Sequence, residues 1–179
     1  METAQLKKII EALLFVSEKP LTVEKISAVT EEKDKALLEK CIEDLGEDYR
    51  QQQKIIQIQP IAGGYQLSTT EEVSPWVKKL LKDKLTLKLS PSALETLSIV
   101  AYRQPITRAE IESIRGVEVS AILGKLLERK IIRICGRKEA PGRPLLYSTT
   151  DEFLRYFGLK NLSEIPALEE ISVTSESET

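Results

Sequence analysis

Pro105-Ile106-Thr107-Arg108-Ala109-Glu110-Ile111-Glu112-Ser113-Ile114-Arg115-Gly116 carries its own start and stop signals for a short helix. Thr107 stands where an N-cap hydroxyl accepts from the first free amides, and Glu110, three residues on, completes a capping box. Gly116 supplies a left-handed C-terminal cap, and Ile111 with Ile114 gives the helix a buried face. The same arrangement occurs earlier: Pro20-Leu21-Thr22 is followed by Ile26 and Val29 at identical spacing. Further along, Ser68-Thr69-Thr70-Glu71-Glu72-Val73 returns as Ser148-Thr149-Thr150-Asp151-Glu152-Phe153. Two signatures in the same order, about 80 to 85 positions apart, predict a tandem duplication of one small domain.

Outward from that helix, each copy reads the same way. Upstream, Leu6, Ile9, Ile10, Leu13, Leu14 and Val16 mark one face at helical spacing, matched by Leu94, Leu97, Ile99, Val100 and Ala101 behind a Ser90 cap and Pro91. Downstream, a third helix carries Ala36, Leu37, Leu38, Cys41, Ile42 and Leu45, or Val119, Ile122, Leu123, Leu126 and Leu127. Lys54–Ile58 and Lys130–Ile134 are short and β-branched, and each leads through a glycine-containing turn to Tyr65–Leu67 or Leu145–Tyr147. These runs predict a hairpin. The Ser-Thr-Thr-acid-acid segment then opens a last helix, since acids suit its positive end. Val73, Trp76, Val77 and Leu80, or Phe153, Tyr156 and Phe157, are expected to fold that helix back on the domain, with Gly158 ending the second.

Three helices followed by a hairpin predict a winged-helix domain. The expected fold class is therefore α+β, mainly helical, with two tandem winged-helix domains at residues 1–82 and 90–160. Residues 83–89 form an extended linker or an edge strand. Residues 161–179 form an acidic tail, with disorder expected over Ser172–Thr179.

Composition narrows the function. With 41% hydrophobic and 30% charged residues the chain has the make-up of a soluble globular protein. Leu13-Leu14-Phe15-Val16 is far too short to cross a bilayer, and no secretory pattern opens the sequence, so a cytoplasmic location without membrane attachment is expected. The absence of histidine removes imidazole catalysis and most zinc sites. No phosphate-cradling glycine loop, metal-spaced cysteine pair or nucleophile beside a base is present, so no enzyme activity, metal or cofactor is predicted. Cys41 and Cys135, among apolar neighbours, read as small buried hydrophobes.

Charge then weighs DNA binding against protein binding. Through Lys82 there are 12 basic and 14 acidic residues. The third helix of that copy brings Asp34, Glu39, Glu43, Asp44, Glu47 and Asp48, which would meet phosphates badly. From Lys88 through Lys160 there are 13 basic and 8 acidic residues, while from Asn161 there are five acids and no base. The basic excess gathers at Arg129, Lys130, Arg133, Arg137, Lys138 and Arg143, around the second hairpin. Three readings of it stand: a solvated wing, a dock for an acidic protein segment through arginine forks, or weak salt-dependent phosphate contact. The third helix there offers Lys125 but no arginine or asparagine for base edges before Arg129, which argues against sequence-specific readout. Arg115-Gly116 and Gly142-Arg143-Pro144 each read either as ordinary turn chemistry or as contact points.

As a set, Leu94-Glu95-Thr96-Leu97-Ser98-Ile99-Val100-Ala101-Tyr102, Gln104-Pro105-Ile106-Thr107-Arg108, Ile114-Arg115-Gly116-Val117, Gly142-Arg143-Pro144 with Tyr147 and Thr149-Thr150, and Phe157-Gly158-Leu159 closely resemble the segregation and condensation protein B (ScpB) family. Ile10-Glu11-Ala12-Leu13-Leu14-Phe15 and Gly64-Tyr65-Gln66-Leu67 fit it in the first half, and the resemblance runs from about Leu6 to Leu168. It implies a non-enzymatic accessory subunit of a condensin-like complex in chromosome condensation and segregation. It also implies a homodimer paired through the first domain and nucleoid-associated, whose second domain holds the central region of the kleisin ScpA and through it meets the SMC ATPase. DNA contact would be indirect or weak. Partner contacts are then expected around Tyr102, Arg115, Arg137 and Arg143. The competing reading is a DNA-binding transcriptional regulator using the basic second wing.

Overall fold

The structure is a computed structural model that describes residues 2–81 and 88–166. The chain divides into two compact units, Met1–Thr86 and Leu87–Thr179.

In the first unit, α1 (Thr3–Val16), α2 (Val23–Thr30) and α3 (Lys35–Gln51) precede an antiparallel hairpin of β1 (Ile56–Ile61) and β2 (Gly64–Thr69). Thr22 caps α2 by accepting from the Lys25 amide at 3.3 Å, and Asp34 caps α3 through the Leu37 amide at 3.1 Å. Leu6, Ile10 and Leu14 from α1 close with Ile26, Leu38, Cys41 and Ile42 into one core. The buried face of α3 runs one turn beyond the expected residues, to Tyr49, whose hydroxyl donates to Glu11 at 2.5 Å. Burial, then that carboxylate, pushes the phenol up to about 12.

The second unit repeats the plan with α5 (Pro91–Arg103), α6 (Arg108–Arg115) and α7 (Ser120–Glu128), α4 being the last helix of the first unit (Ser74–Leu80). Its sheet has three strands, β3 (Ile106–Thr107), β4 (Ile132–Arg137) and β5 (Leu145–Thr149), with β5 in the middle. Ser90 caps α5 through the Ala93 amide at 3.3 Å, with Pro91 in the first turn. Gly116 adopts φ +69, the left-handed cap that its position calls for. The core joins Leu97 and Val100 of α5, Ile111 of α6, Leu123 and Leu126 of α7, Ile132 and Tyr147 of the sheet, and Phe153 of α8 (Asp151–Phe157).

Several expectations change. The strands begin at Ile56 and Ile132, not at Lys54 and Lys130. Gln53 and Lys130 take positive φ at the ends of α3 and α7, and the next amides, Lys54 and Ile131, bond back to Tyr49 and Leu126 at 3.0 Å. Those residues finish the helices, so the ladders start later. Val16, Val29, Ala36, Leu94 and Ile114 are exposed although helical spacing gave them to the apolar faces of their helices. Cys135 is exposed, since it falls in the register shift between Ile134 and Gly136 of β4; Cys41 is fully buried as expected.

The last helix differs most between the copies. In the second unit Thr150 caps α8 through the Phe153 amide at 3.4 Å, Phe153 is buried and Gly158 ends the helix at φ +70. In the first, Thr70 makes no cap, a 3-10 turn at Glu71–Val73 precedes α4, and Trp76 and Leu80 are 67% and 85% exposed. α4 therefore does not fold back on the described core. Of the remaining expectations, the linker lies almost wholly, and Ser172–Thr179 entirely, outside the described residues; Leu162–Glu164 forms a 3-10 turn.

The first hairpin is fitted tightly to the chain ahead of α2. A Cβ on Gly64 would lie 2.7 Å from the Leu21 carbonyl carbon and oxygen, a clash with backbone that has little freedom to move. Gly64→Ala is expected to cost about 1–3 kcal/mol. Gly46→Ala, inside α3 with nothing within 4 Å of the new methyl, should instead stabilise by about 0.5–1 kcal/mol. Urea unfolding of the two variants checks both signs.

Candidate partner-binding surface

Glu110 organises the second unit's hairpin. Its Oε2 accepts from the Thr107 amide at 2.8 Å and the Thr107 hydroxyl at 2.7 Å, while Oε1 accepts from Lys138 Nζ at 2.5 Å. One carboxylate thus closes the capping box of α6 and holds the end of β4 to it. The Lys138 hydrogen bond, followed by those from Thr107, lowers its pKa from 4.5 to about 2.

Beyond Lys138 the hairpin loop is a turn built on itself. The Arg143 amide donates to Ala140 O at 2.8 Å, and Gly142 takes φ +79. Arg137 Nη1 donates to Arg143 O at 3.0 Å, so the structure brings these two expected contact residues together at the hairpin tip, both exposed. Arg133 also lies exposed on β4, its Nε donating to Ser148 Oγ at 3.3 Å.

Arg115 is placed differently. Its Nη1 donates to Ser92 O at 2.7 Å and to Thr96 Oγ1 at 2.6 Å, and its Nη2 lies 2.8 Å from Glu95. With 12% of its side chain exposed, it is committed to tying α6 to the first turns of α5. Residue spacing gave no sign of this, because the partners belong to another helix.

Tyr102 sits near the other end of α5, half-buried, its hydroxyl donating to Pro166 O at 2.7 Å. It borders an apolar cleft of about 250 Å³ with Leu97, Ala101, Phe153, Phe157 and Leu159, and Ile165 and Pro166 form one wall. Phe157 stays 43% exposed at its edge, its ring centroid 4.9 Å from that of Phe153 at a tilt and 5.0 Å from that of Tyr156 edge to face. An open cleft of aromatic and aliphatic side chains accepts apolar anchors of a peptide; the exposed guanidinium groups of Arg137 and Arg143 suit carboxylates. No helix among the described residues is long and apolar enough to cross a membrane.

Residues 8–168 match the model of the family described as segregation and condensation complex subunit ScpB. The chain belongs to the ScpB family. A segregation and condensation protein B from Symbiobacterium thermophilum is 53% identical over 165 residues, covering 91% of this chain and 74% of the relative. Among solved structures, ScpB from Mycobacterium tuberculosis is 34% identical, covering 89% of this chain and 98% of that one, with a TM-score of 0.43. A dimer of the ScpB N-terminal domain complexed with an ScpA peptide is 35% identical over 43% of this chain and 95% of its own, with a TM-score of 0.40. The resemblance read from Leu94–Tyr102 and its companion motifs is thereby established as ScpB family membership.

Two outcomes follow from the buried and paired groups. Arg115→Met removes charged hydrogen bonds to a half-buried carbonyl and a buried hydroxyl and is expected to destabilise the protein by about 1.5–3 kcal/mol, whereas Arg143→Met should leave stability unchanged. Because the Glu110 pKa is lowered on folding, its contribution is fully present above about 4.5 and is lost as pH falls toward about 2. The stability gap between the wild type and Glu110→Gln should therefore be present at pH 7 and close across that window in pH-resolved denaturation.

Proposed function

We propose that this chain is a non-enzymatic accessory subunit of an SMC–kleisin complex, built from tandem winged-helix domains, working in the cytoplasm at the nucleoid. The second unit binds the central region of the kleisin ScpA, and through the kleisin meets the SMC ATPase. The first unit pairs two copies of the chain. The observation that carries the reading is the conjunction, within one unit of an ScpB-family protein, of an open apolar cleft at Tyr102 with exposed arginines at the wing tip.

A kleisin segment with apolar anchors and acidic flanks would use Tyr102 and Phe157 for the former and Arg137 and Arg143 for the latter. Arg115 contributes by fixing α5, the helix that carries Tyr102. In the first unit, Phe15 at 77% exposure, with Val16, Trp76 and Leu80, supplies uncovered apolar side chains for self-pairing. A relative's N-terminal domain forms a dimer complexed with an ScpA peptide, so kleisin capture by the first unit is the specific alternative that a test must separate.

A DNA-binding regulator is disfavoured by the described surfaces. Exposed Glu39, Glu43 and Glu47 project from α3, and Lys138 of the basic wing is already paired with Glu110.

The mass in solution of the protein, alone and with a central ScpA fragment, tests dimerisation and partner capture together. A dimer that gains mass with the fragment is expected, and deleting Ser90–Lys160 should abolish the gain. Capture by the first unit alone, as strong as by the full chain, would contradict the division of labour. Phe157→Glu should weaken capture at least tenfold, the scale of one lost anchor of about 1.4 kcal/mol or more. Titration with duplex DNA at physiological salt should show weak, sequence-indifferent binding or none; preference for one sequence would favour the regulator.

A further inference from the structure

A second depression in the same unit has a different character from the cleft at Tyr102. It measures about 180 Å³ and lies between the start of α5 and α7, with Leu89, Ala93, Ile122 and Leu126 forming its apolar lining. Lys88, Lys125 and Arg129 add basic side chains, and among the described residues no acidic one lines it. Such a groove fits a short segment that alternates aliphatic side chains with carboxylates.

The chain itself contains such a segment. Residues 167–179 bring Leu168, Ile171 and Val173 together with Glu169, Glu170, Glu176 and Glu178, and no base. Their starting point is fixed: Pro166 is held by the Tyr102 hydroxyl at 2.7 Å. Ala93 in the groove and Leu97 and Ala101 in the cleft stand four residues apart on α5, a single stripe along that helix. From Tyr102 back to Ala93 the helix rises about 14 Å, at about 1.5 Å per residue. Five extended residues from Pro166 to Ile171 reach about 16 Å, at about 3.3 Å each. The tether, the reach and the charge agree.

We infer that residues 167–179 dock in the groove between α5 and α7 of their own chain, with Leu168 or Ile171 in the apolar lining and the glutamates on Lys88 and Lys125. Acidic residues that would otherwise compete for the basic side chains of this unit are then stored on it. An acidic partner segment reaching the same groove would have to displace them. The inference concerns the chain alone and holds whichever partner the cleft at Tyr102 receives.

Methyl NMR spectra of the full chain and of the chain ending at Pro166 test it. Truncation is expected to shift the Ala93, Ile122 and Leu126 methyl signals. Lys125→Glu in the full chain should shift the same signals in the same direction, and Glu169→Lys with Glu170→Lys added to that variant should restore them. Groove methyls that stay in place on truncation, or that ignore Lys125→Glu, overturn the inference. So do shifts confined to Leu97 and Ala101, which would put the segment in the cleft, and groove shifts that arise only when an ScpA fragment is added, which would assign the groove to the partner.

Discussion

Backbone pairing just after the proline ties the hairpin of each copy to its helices. Leu21 and Tyr65 exchange amide and carbonyl bonds at 2.9 Å in the first unit, and Ile106 pairs with Tyr147 in the second. In both, the residue that precedes the threonine cap is laid against the tyrosine of the second hairpin strand. That pairing fixes the hairpin to the helical core before the short helix begins, and everything carried by the hairpin inherits its position. Gly64 shows how close the approach is, since the Leu21 carbonyl occupies the space a Cβ would need. In the second unit Glu110 adds a further tie, from helix cap to Lys138.

On this common frame the two units present different surfaces. The first keeps acidic residues along α3 and leaves Phe15, Val16, Trp76 and Leu80 uncovered. The second folds its last helix inward through Phe153, and in doing so builds the cleft at Tyr102 from α5, α8 and the segment that follows. The divergence shows at one place, where the same residue type is bonded differently in the two copies. Thr150 caps its helix and donates to Lys130 O at 2.5 Å, whereas Thr70 does neither and its buried hydroxyl has no hydrogen-bond partner. An inward helix leaves a lined cleft; an outward one leaves apolar side chains available for another chain.

Much of this was legible because local chemistry decided it. Ser90, Thr107, Gly116 and Gly158 each satisfy orphan groups of a helix end, and those groups lie within a few residues of them. The hairpins could be read from β-branched runs and glycine turns, although Gln53 and Lys130 moved their starts by ending the helices in a left-handed conformation. What periodicity could not distinguish was an apolar residue serving the core from one left outside it. Val29 and Ile114 occupy the same place in the repeat, and both are exposed. Of the four expected contact residues, Arg137 and Arg143 come together at the hairpin tip and Tyr102 borders the cleft, while Arg115 turns inward to α5. The cleft itself needs residues from Leu97 to Pro166, and no short motif could announce it.

On the function proposed above, the repeated fold divides its work, with the second unit receiving the kleisin and the first pairing the chain. Amide hydrogen exchange on the full-length protein, with and without a central ScpA fragment, examines that division residue by residue. New protection is expected over α5 after Leu97, the β4–β5 hairpin and α8, with exchange in the first unit unchanged by the fragment. Protection confined to the first unit would contradict it.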